Sequence, residues 1–406
     1  MATLMDRVIT SKAAVLEGSR AIAEAVRLCR PQVISAYPIT PQTHVVEALA
    51  QMVADGALKA EFVNVESEHS AASVVLGASA TGARVYTASS SQGIALMSEV
   101  LFNIAGLRLP VVLTCANRAL SSPLNIWNDQ QDSLSVRDAG WVQLYVEDNQ
   151  EAVDTHLQAY AIAEDRRVLL PTMVCADGFL LTHTYEPVIV PTQEEVDAFL
   201  PPYRPQHYLT PDKPLTMGAF ADPEYYMESR YLLDRALERS QAVIEDAAQR
   251  FNRAFGRHYG GLLDTLHMEG ARTAVVAMGS VVATLRDVVS GLRDDGHAVG
   301  LVKVRSFRPF PKDALRSALR DVDRVLVLER ALSPGGVGIL AAEVRAVLQG
   351  QPRQPAVSAF VAGLGGRDIP VETLQALIAR AQDEAVEQGF ADLKAELVEE
   401  GDEDES

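Results

Sequence analysis

The sequence predicts an α/β protein built on parallel sheets and divided into two domains of different size. Three observations carry this expectation. From residue 12 to about residue 122, short runs rich in β-branched residues alternate with helical stretches. Those runs are continuously apolar, as expected of strands covered on both faces. The same alternation resumes at Arg272 after a proline-rich interval.

Taken in order, an alanine-rich helix over residues 12–28 leads to the strand Gln32-Val33-Ile34-Ser35-Ala36-Tyr37, and residues 41–54 form the next helix. A strand over 61–65 precedes a helix over 68–80 that ends at Gly82. Residues 85–88 and 111–115 are strands flanking a helix over 94–105, and 171–176 form the last strand of this domain, with Pro171 tolerated as its first residue. The prolines between 190 and 215 show no periodicity and read as a linker or wrapping loop. Residues 223–268, rich in Glu, Arg and Ala, read as a long helix that packs across domains or meets a partner. In the second unit, strands at 273–278, 299–304 and 324–328 alternate with helices at 281–293 and 312–319. Gly335, Gly336 and Gly338 open a further helix through 348. The expected division is therefore 1–190, 191–268, 269–365, and a C-terminal helix with an acidic tail over 366–406.

Composition narrows the function classes. With 406 residues and 48% hydrophobic content, the chain can build two or three real cores. It holds no run of roughly 18 apolar residues, and residues 1–11 have mixed charge, so a cytoplasmic location is expected. The formal net charge is -18, partly from the run Glu399, Glu400, Asp402, Glu403, Asp404 and Glu405, which reads as a solvated tail. There is no basic stripe, which argues against nucleic acid and anionic membrane surfaces. Cys29, Cys115 and Cys175 make no CxxC spacing, so no iron-sulfur cluster is expected on this chain. The eight histidines form no HxxxH or HxH pair, and no protein-ligated metal is expected either.

Four segments at strand ends carry possible chemistry. Tyr37-Pro38-Ile39-Thr40-Pro41 lies at the carboxyl edge of the first sheet, where open α/β sheets bind ligands. Thr40 is also a good N-cap and Pro41 a good first helical residue. Val65-Glu66-Ser67-Glu68-His69-Ser70 offers Ser67 as a cap and Glu68 in the first turn, where a carboxylate also serves the helix dipole. Cys115-Ala116-Asn117-Arg118-Ala119-Leu120 presents the planar fork of Arg118, suited to a carboxylate or to a surface ion pair. Ser89-Ser90-Ser91-Gln92-Gly93 is a small polar turn that allows close backbone approach to a ligand. Each segment alone has an ordinary structural reading; their shared sheet edge favours function.

The ordered runs at 35–41, Ser67-Glu68 and 116–120, together with Asn125-Ile126-Trp127-Asn128-Asp129-Gln130-Gln131-Asp132-Ser133, resemble the alpha subunits of the pyruvate:ferredoxin oxidoreductase family of 2-oxoacid:acceptor oxidoreductases. Arg305-Ser306-Phe307-Arg308-Pro309-Phe310-Pro311 and Glu329-Arg330 look like that family's second domain, so the resemblance covers roughly residues 10–350. It implies a thiamine-diphosphate-binding-type parallel-sheet domain that takes the aminopyrimidine ring, and a second domain similar to the transketolase C-terminal domain. It further implies that Glu68 hydrogen-bonds the pyrimidine nitrogen, that Pro38, Ile39 and Gln92 join it in binding cofactor, and that Thr40 and Arg118 hold the substrate carboxylate and carbonyl. The residue types agree, because a carboxyl group beside the ring nitrogen favours the form of the ring that removes the thiazolium proton. Arg118 would neutralise the carboxylate and Thr40 would donate to the oxygen that develops charge.

An absence is informative as well. Thiamine enzymes hold metal and diphosphate with a Gly-Asp-Gly segment followed by Asn, yet the nearest match here is Ala176-Asp177-Gly178, with no asparagine between Asn149 and Asn252. The resemblance accordingly implies a beta subunit that carries the diphosphate, Mg2+ and a 4Fe-4S cluster, with gamma and ferredoxin-like subunits, arranged as a dimer of heteromers. The expected reaction is oxidative decarboxylation of a 2-oxoacid, pyruvate first, to acyl-CoA with coenzyme A. Rival readings are phenylglyoxylate or a branched-chain substrate, a transketolase or lipoamide-linked dehydrogenase component, and a non-catalytic scaffold.

Overall fold

A computed structural model describes residues 13–398, so residues 1–12 and the acidic run from Glu399 to Glu405 lie outside the described residues. The chain forms two compact units. The first runs through Asp264 and takes in Met278–Ser280 and Val304–Pro311; the second comprises Thr265–Ala277, Val281–Lys303 and the chain from Lys312 onward.

The first unit opens differently from expectation. The helix foreseen over 12–28 is divided into strand β1 (Ala13–Glu17) and helix α1 (Gly18–Leu28). The division falls at Gly18, where a Cβ would lie 2.0 Å from the Leu181 carbonyl oxygen. The chain then continues through β2 (Val33–Ser35), α2 (Thr43–Ala54), β3 (Glu61–Val63), α3 (Glu68–Ala80), β4 (Val85–Ser89), α4 (Ser91–Gly106) and β5 (Val112–Asn117). After α5 (Gln131–Ser135) come β6 (Val142–Tyr145), α6 (Asn149–Ala163), β7 (Thr172–Asp177), β8 (Tyr185–Ile189), α7 (Gln193–Phe199) and α8 (Tyr226–Phe255). Strand β1 pairs antiparallel with β8, from Ala13 opposite Ile189 to Glu17 opposite Tyr185.

The seven-stranded sheet runs in the order Ser306–Arg308, β6, β7, β5, β4, β2, β3. All its pairings are parallel except that of the Ser306–Arg308 strand, which lies antiparallel on β6. Strand β7 is therefore not the last of the sheet, because the chain returns to add an edge strand. Strands β4, β5, β6 and β7 are buried along their whole length, which explains their unbroken apolar character. Ile22, Val26, Ile34, Leu49, Leu157 and Phe251 belong to one core cluster.

Two further expectations change. The interval read as a linker contains α7, closed by a capping box in which Glu195 Oε2 accepts the Thr192 amide at 2.8 Å and Thr192 Oγ1 accepts the Glu195 amide at 3.3 Å. The long helix foreseen over 223–268 ends at Phe255, because Gly256 takes a left-handed conformation at φ 71°.

The second unit has a six-stranded sheet. Thr273–Ala277 lies between Val299–Val304 and Arg324–Glu329, followed outward by Ala356–Val361 and Gly389–Phe390, with Leu263–Leu266 at the opposite edge. Its helices are Val281–Asp294, Lys312–Ala318, Ile339–Leu348 and Val371–Asp383. Val275, Leu285, Val289, Leu326, Phe360 and Ile378 form its core. Among the described residues no helix is long and apolar enough to cross a membrane.

Candidate active site

The topology of the first sheet makes a crevice. From β2 the chain adds β3 on one side and then crosses to add β4 on the other, so β2 lies between them. At such a reversal the loops leave the carboxyl ends in opposite directions. Residues 37–42 follow β2, Glu68 opens the helix after β3, Ser89 ends β4 with residues 90–93 after it, Asn117 ends β5 with Arg118 after it, and Asp177 ends β7.

Glu68 is the first residue of α3. Ser67 caps that helix, its Oγ accepting the Ser70 amide at 3.2 Å. Although its side chain is a carboxyl group, Glu68 is only 8% exposed. Gly93 explains how it is accommodated: a Cβ there would lie 2.8 Å from Glu68 Cγ and Oε1 and 2.3 Å from Ser89 Oγ. Among the described residues, the buried hydroxyls of Ser89 and Ser90 have no hydrogen-bond partner. A buried carboxylate and the unanswered Ser89 hydroxyl meeting at a missing Cβ, with the unanswered Ser90 hydroxyl next in the chain, form a cradle of the kind that a polar heterocycle requires, since buried polar atoms are ordinarily satisfied. The aminopyrimidine of thiamine fits that donor and acceptor set.

Thr40 is not the N-cap of α2. Residues 39–42 close their own turn, with the Gln42 amide donating to the Ile39 carbonyl at 2.9 Å, and α2 begins at Thr43. The Gln42 side chain anchors this turn by donating to the Ala88 carbonyl at 2.7 Å at the end of β4. Pro38 and Thr40 are exposed and Ile39 half-buried on the same loop, while Gln92 is half-buried in the first turn of α4. Gln92 Oε1 accepts from Ser91 Oγ at 2.6 Å.

Arg118 is 7% exposed, which removes the reading of it as a surface ion pair. Its Nε donates to the Asn125 carbonyl at 3.0 Å and its Nη1 to the Thr40 carbonyl at 2.9 Å. The guanidinium thus ties the loop after β2 to the loop after β5. Burial pushes its pKa down, opposed by the nearby Asp132 charge.

Asp132 was not singled out from the sequence and proves central. Its Oδ2 accepts the amides of Ser91 and Arg118, and its Oδ1 accepts Asn117 Nδ2 and the Ser133 amide, both at 2.7 Å. One fully buried carboxylate therefore sets the start of α4, the end of β5 and the start of α5. Burial raises its pKa, and these four hydrogen bonds oppose that rise. The only sequence signal was its place in the 125–133 segment.

Asp177, the nearest counterpart of a diphosphate-site aspartate, is already engaged. Its Oδ2 accepts the Ser280 amide and hydroxyl at 2.9 and 2.5 Å, and its Oδ1 accepts Gln130 Nε2 at 3.2 Å. Those partners do not fit a free metal ligand. Cys115 and Cys175 face each other across β5 and β7, Cys29 ends α1, and all three are buried. Three cysteines do not make the four-thiolate set of a 4Fe-4S cluster.

Residues 24–249 match the family model for pyruvate flavodoxin/ferredoxin oxidoreductase, thiamine diphosphate-binding, and residues 271–374 match that for pyruvate:ferredoxin oxidoreductase core domain II. Pyruvate synthase subunit PorA of Methanothermobacter thermautotrophicus is 53% identical over 368 residues, covering 91% of this chain and 95% of that protein. PorA of Methanosarcina barkeri is 48% identical over 402 residues, covering 97% and 100%. Ketoisovalerate oxidoreductase subunit VorA of Pyrococcus horikoshii is 44% identical over 383 residues, covering 94% and 96%. Among solved structures, 2-oxoglutarate:ferredoxin oxidoreductase from Magnetococcus marinus superposes with a TM-score of 0.66 at 20% identity, over 92% of this chain and 65% of that one. A split gene transketolase, an inactive beta4 tetramer, gives 0.53 at 13% identity, over 92% and 100%. These two likenesses are of fold.

Proposed function

The chain belongs to the pyruvate flavodoxin/ferredoxin oxidoreductase family, and from that premise we propose that it is the catalytic alpha subunit of a multi-subunit, cytoplasmic 2-oxoacid:ferredoxin oxidoreductase. The complex converts pyruvate and coenzyme A to acyl-CoA and carbon dioxide, and its electrons pass to 4Fe-4S clusters on partner chains. The observation that carries this reading is the cradle of Glu68, Gly93, Ser89 and Ser90 on the same sheet edge as Arg118 and Thr40.

Thiamine diphosphate, when bound, supplies the nucleophilic carbon and the electron sink for decarboxylation. Glu68 holds a proton at its carboxyl group for the pyrimidine nitrogen, with Pro38, Ile39 and Gln92 lining the ring. Arg118 is fixed in one orientation by its two carbonyl partners and brings the positive charge that a 2-oxoacid carboxylate needs. Thr40 stands on the loop that Arg118 grips and donates to the substrate oxygen that gains charge. The engagement of Asp177 by Ser280 and Gln130 supports a beta subunit as the holder of the diphosphate and Mg2+. Gamma and ferredoxin-like chains complete a dimer of heteromers.

Pyruvate is favoured because the PorA relatives, at 53% and 48% identity, lie nearer than the ketoisovalerate subunit at 44%. That same 44% keeps a branched-chain 2-oxoacid as the second reading. A transketolase-type activity has only the fold in its support, and a scaffold role leaves the cradle and the Arg118 clamp without purpose. The test is a substrate panel with the purified complex, coenzyme A and a one-electron dye. A brown, iron- and sulfide-containing complex that reduces dye fastest with pyruvate is expected; fastest reduction with the branched-chain acid overturns the substrate, and a colourless active complex overturns the class.

A further inference from the structure

Away from the cradle, the first unit gathers three side chains that the sequence keeps far apart. Glu17 ends β1, His44 lies in the first turn of α2, and His183 follows β7 on the approach to β8. One ligand atom from each lies within 4.8 Å of the others. We propose that Glu17, His44 and His183 form a site for a borderline divalent transition ion of the zinc class.

The geometry exceeds what a simple ion pair needs. Glu17 Oε1 and His44 Nδ1 are 2.6 Å apart, which would suffice for a Glu-His pair. Such a pair does not call for His183, whose ring lies 4.7 Å from that of His44 at 34°. His183 is held from its other side: its Nδ1 is 2.8 Å from Thr182 Oγ1, a fully buried hydroxyl that also accepts the Phe179 amide at 2.9 Å. Phe179 packs on the same imidazole at 4.6 Å. In the tautomer whose Nδ1–H donates to Thr182 Oγ1, Nε2 carries the lone pair, the usual arrangement behind a metal-ligating imidazole.

Ligand chemistry selects the ion. Two imidazoles and one carboxylate suit zinc and its neighbours, whereas Mg2+ and Ca2+ prefer all-oxygen shells. With metal-ligand distances of about 2.0–2.1 Å, ligand atoms in a tetrahedral site stand roughly 3.3 Å apart. The cluster reaches that spacing if Glu17 and His44 open slightly and His183 closes. The His44 side chain is 48% exposed, so it can rotate, and its open side leaves the fourth position to water.

The test uses the purified, chelator-washed complex and Zn2+ itself, titrated against a chromophoric zinc indicator in wild type, His44→Asn and His183→Ala. Expected is one more tight zinc equivalent per copy of this chain in wild type than in either variant, and zinc-edge X-ray absorption that shows two imidazole scatterers. His44 is half-exposed, so its variant should assemble with an unchanged cluster spectrum, which separates a lost site from a lost fold. Equal zinc uptake in wild type and His44→Asn overturns the proposal, as does an absorption spectrum without imidazole.

Discussion

Asp132 Oδ2 accepts the backbone amide of Arg118 at 3.0 Å, and the same oxygen accepts the amide of Ser91 at 2.9 Å. The two loops that frame the crevice are therefore registered through one buried atom. Asp132→Asn puts an amide where some of these donors need an acceptor. Leaving buried donors unsatisfied costs roughly 1–3 kcal/mol. Chemical denaturation of the complex should show that loss, and apparent substrate affinity should fall with it because Arg118 shifts. Unchanged stability and affinity would mean that the loops are set elsewhere.

Gly93→Ala adds a methyl group that would meet Ser89 Oγ at 2.3 Å and the Glu68 side chain at 2.8 Å. Overpacking of this kind typically costs about 1–3 kcal/mol, and here the group displaced is the carboxylate of the cradle. We expect weaker thiamine diphosphate binding by calorimetry on the assembled complex. Wild-type cofactor affinity in this variant would show that the cradle does not receive the cofactor.

Arg118→Lys keeps the charge and loses the fork. A single ammonium cannot hold the Thr40 and Asn125 carbonyls as Nε and Nη1 do and also present charge to a substrate. The apparent substrate affinity should drop by about 1.5–3 kcal/mol, the range for a charge-assisted hydrogen bond, with cofactor still bound. Steady-state kinetics with unchanged KM would rule out the substrate role.

How much of this was legible in the sequence follows from which interactions are local. The buried strands announced themselves as apolar runs, and the Ser67 cap and the start of α3 were set by residues within three positions of each other. Even α7 had a local signal in Thr192 and Glu195, outweighed in the reading by the surrounding prolines. The strand β1 had none: five residues of Ala-Ala-Val-Leu-Glu suit a helix, and only pairing with β8, more than 160 positions on, makes them extended. Thr40 looked like a cap because its type and the following proline are right. The turn closed by Gln42 depends instead on the Ala88 carbonyl of another strand. Asp132 and the Glu17, His44 and His183 group are likewise products of tertiary contact, which no spacing rule reports.

His156 predicts an acid limit to stability. It is fully buried in α6, its Nδ1 2.6 Å from the Ala152 carbonyl and its Nε2 2.6 Å from Thr114 Oγ1, which also meets the Tyr86 hydroxyl. The proton on Nδ1 and the acceptor at Nε2 describe a neutral ring, and burial lowers its pKa from 6.5 to about 4. The folded-state value lies below the unfolded one, so this stabilisation is present above pH 6.5 and is lost as the pH falls through about 4. The shift corresponds to about 3 kcal/mol. Thermal midpoints of the complex should fall over that window, and His156→Gln should flatten the fall. An identical pH profile in the variant would assign the acid limit to other groups.

Glu68 offers the sharpest separation of structure from chemistry. As a first-turn carboxylate serving only the helix dipole, it would lose about 0.3–1 kcal/mol on conversion to Gln, and turnover would hardly change. As the group that shares a proton with the pyrimidine nitrogen, it would be replaced by an amide of nearly the same shape that cannot do so. The surroundings favour the second case: the side chain is buried, and helix α4 gives up a Cβ at Gly93 to admit it. A general acid-base contribution is typically about 10²- to 10⁴-fold, so the first chemical step should slow by that factor. Assembly, cluster content and cofactor binding should persist, because Gln fills the same space. The decisive measurement is hydrogen-deuterium exchange at the thiazolium C2 in the reconstituted complex, read beside thermal stability. Slow exchange with a normal unfolding midpoint is expected of Glu68→Gln, and a wild-type exchange rate would falsify the catalytic assignment.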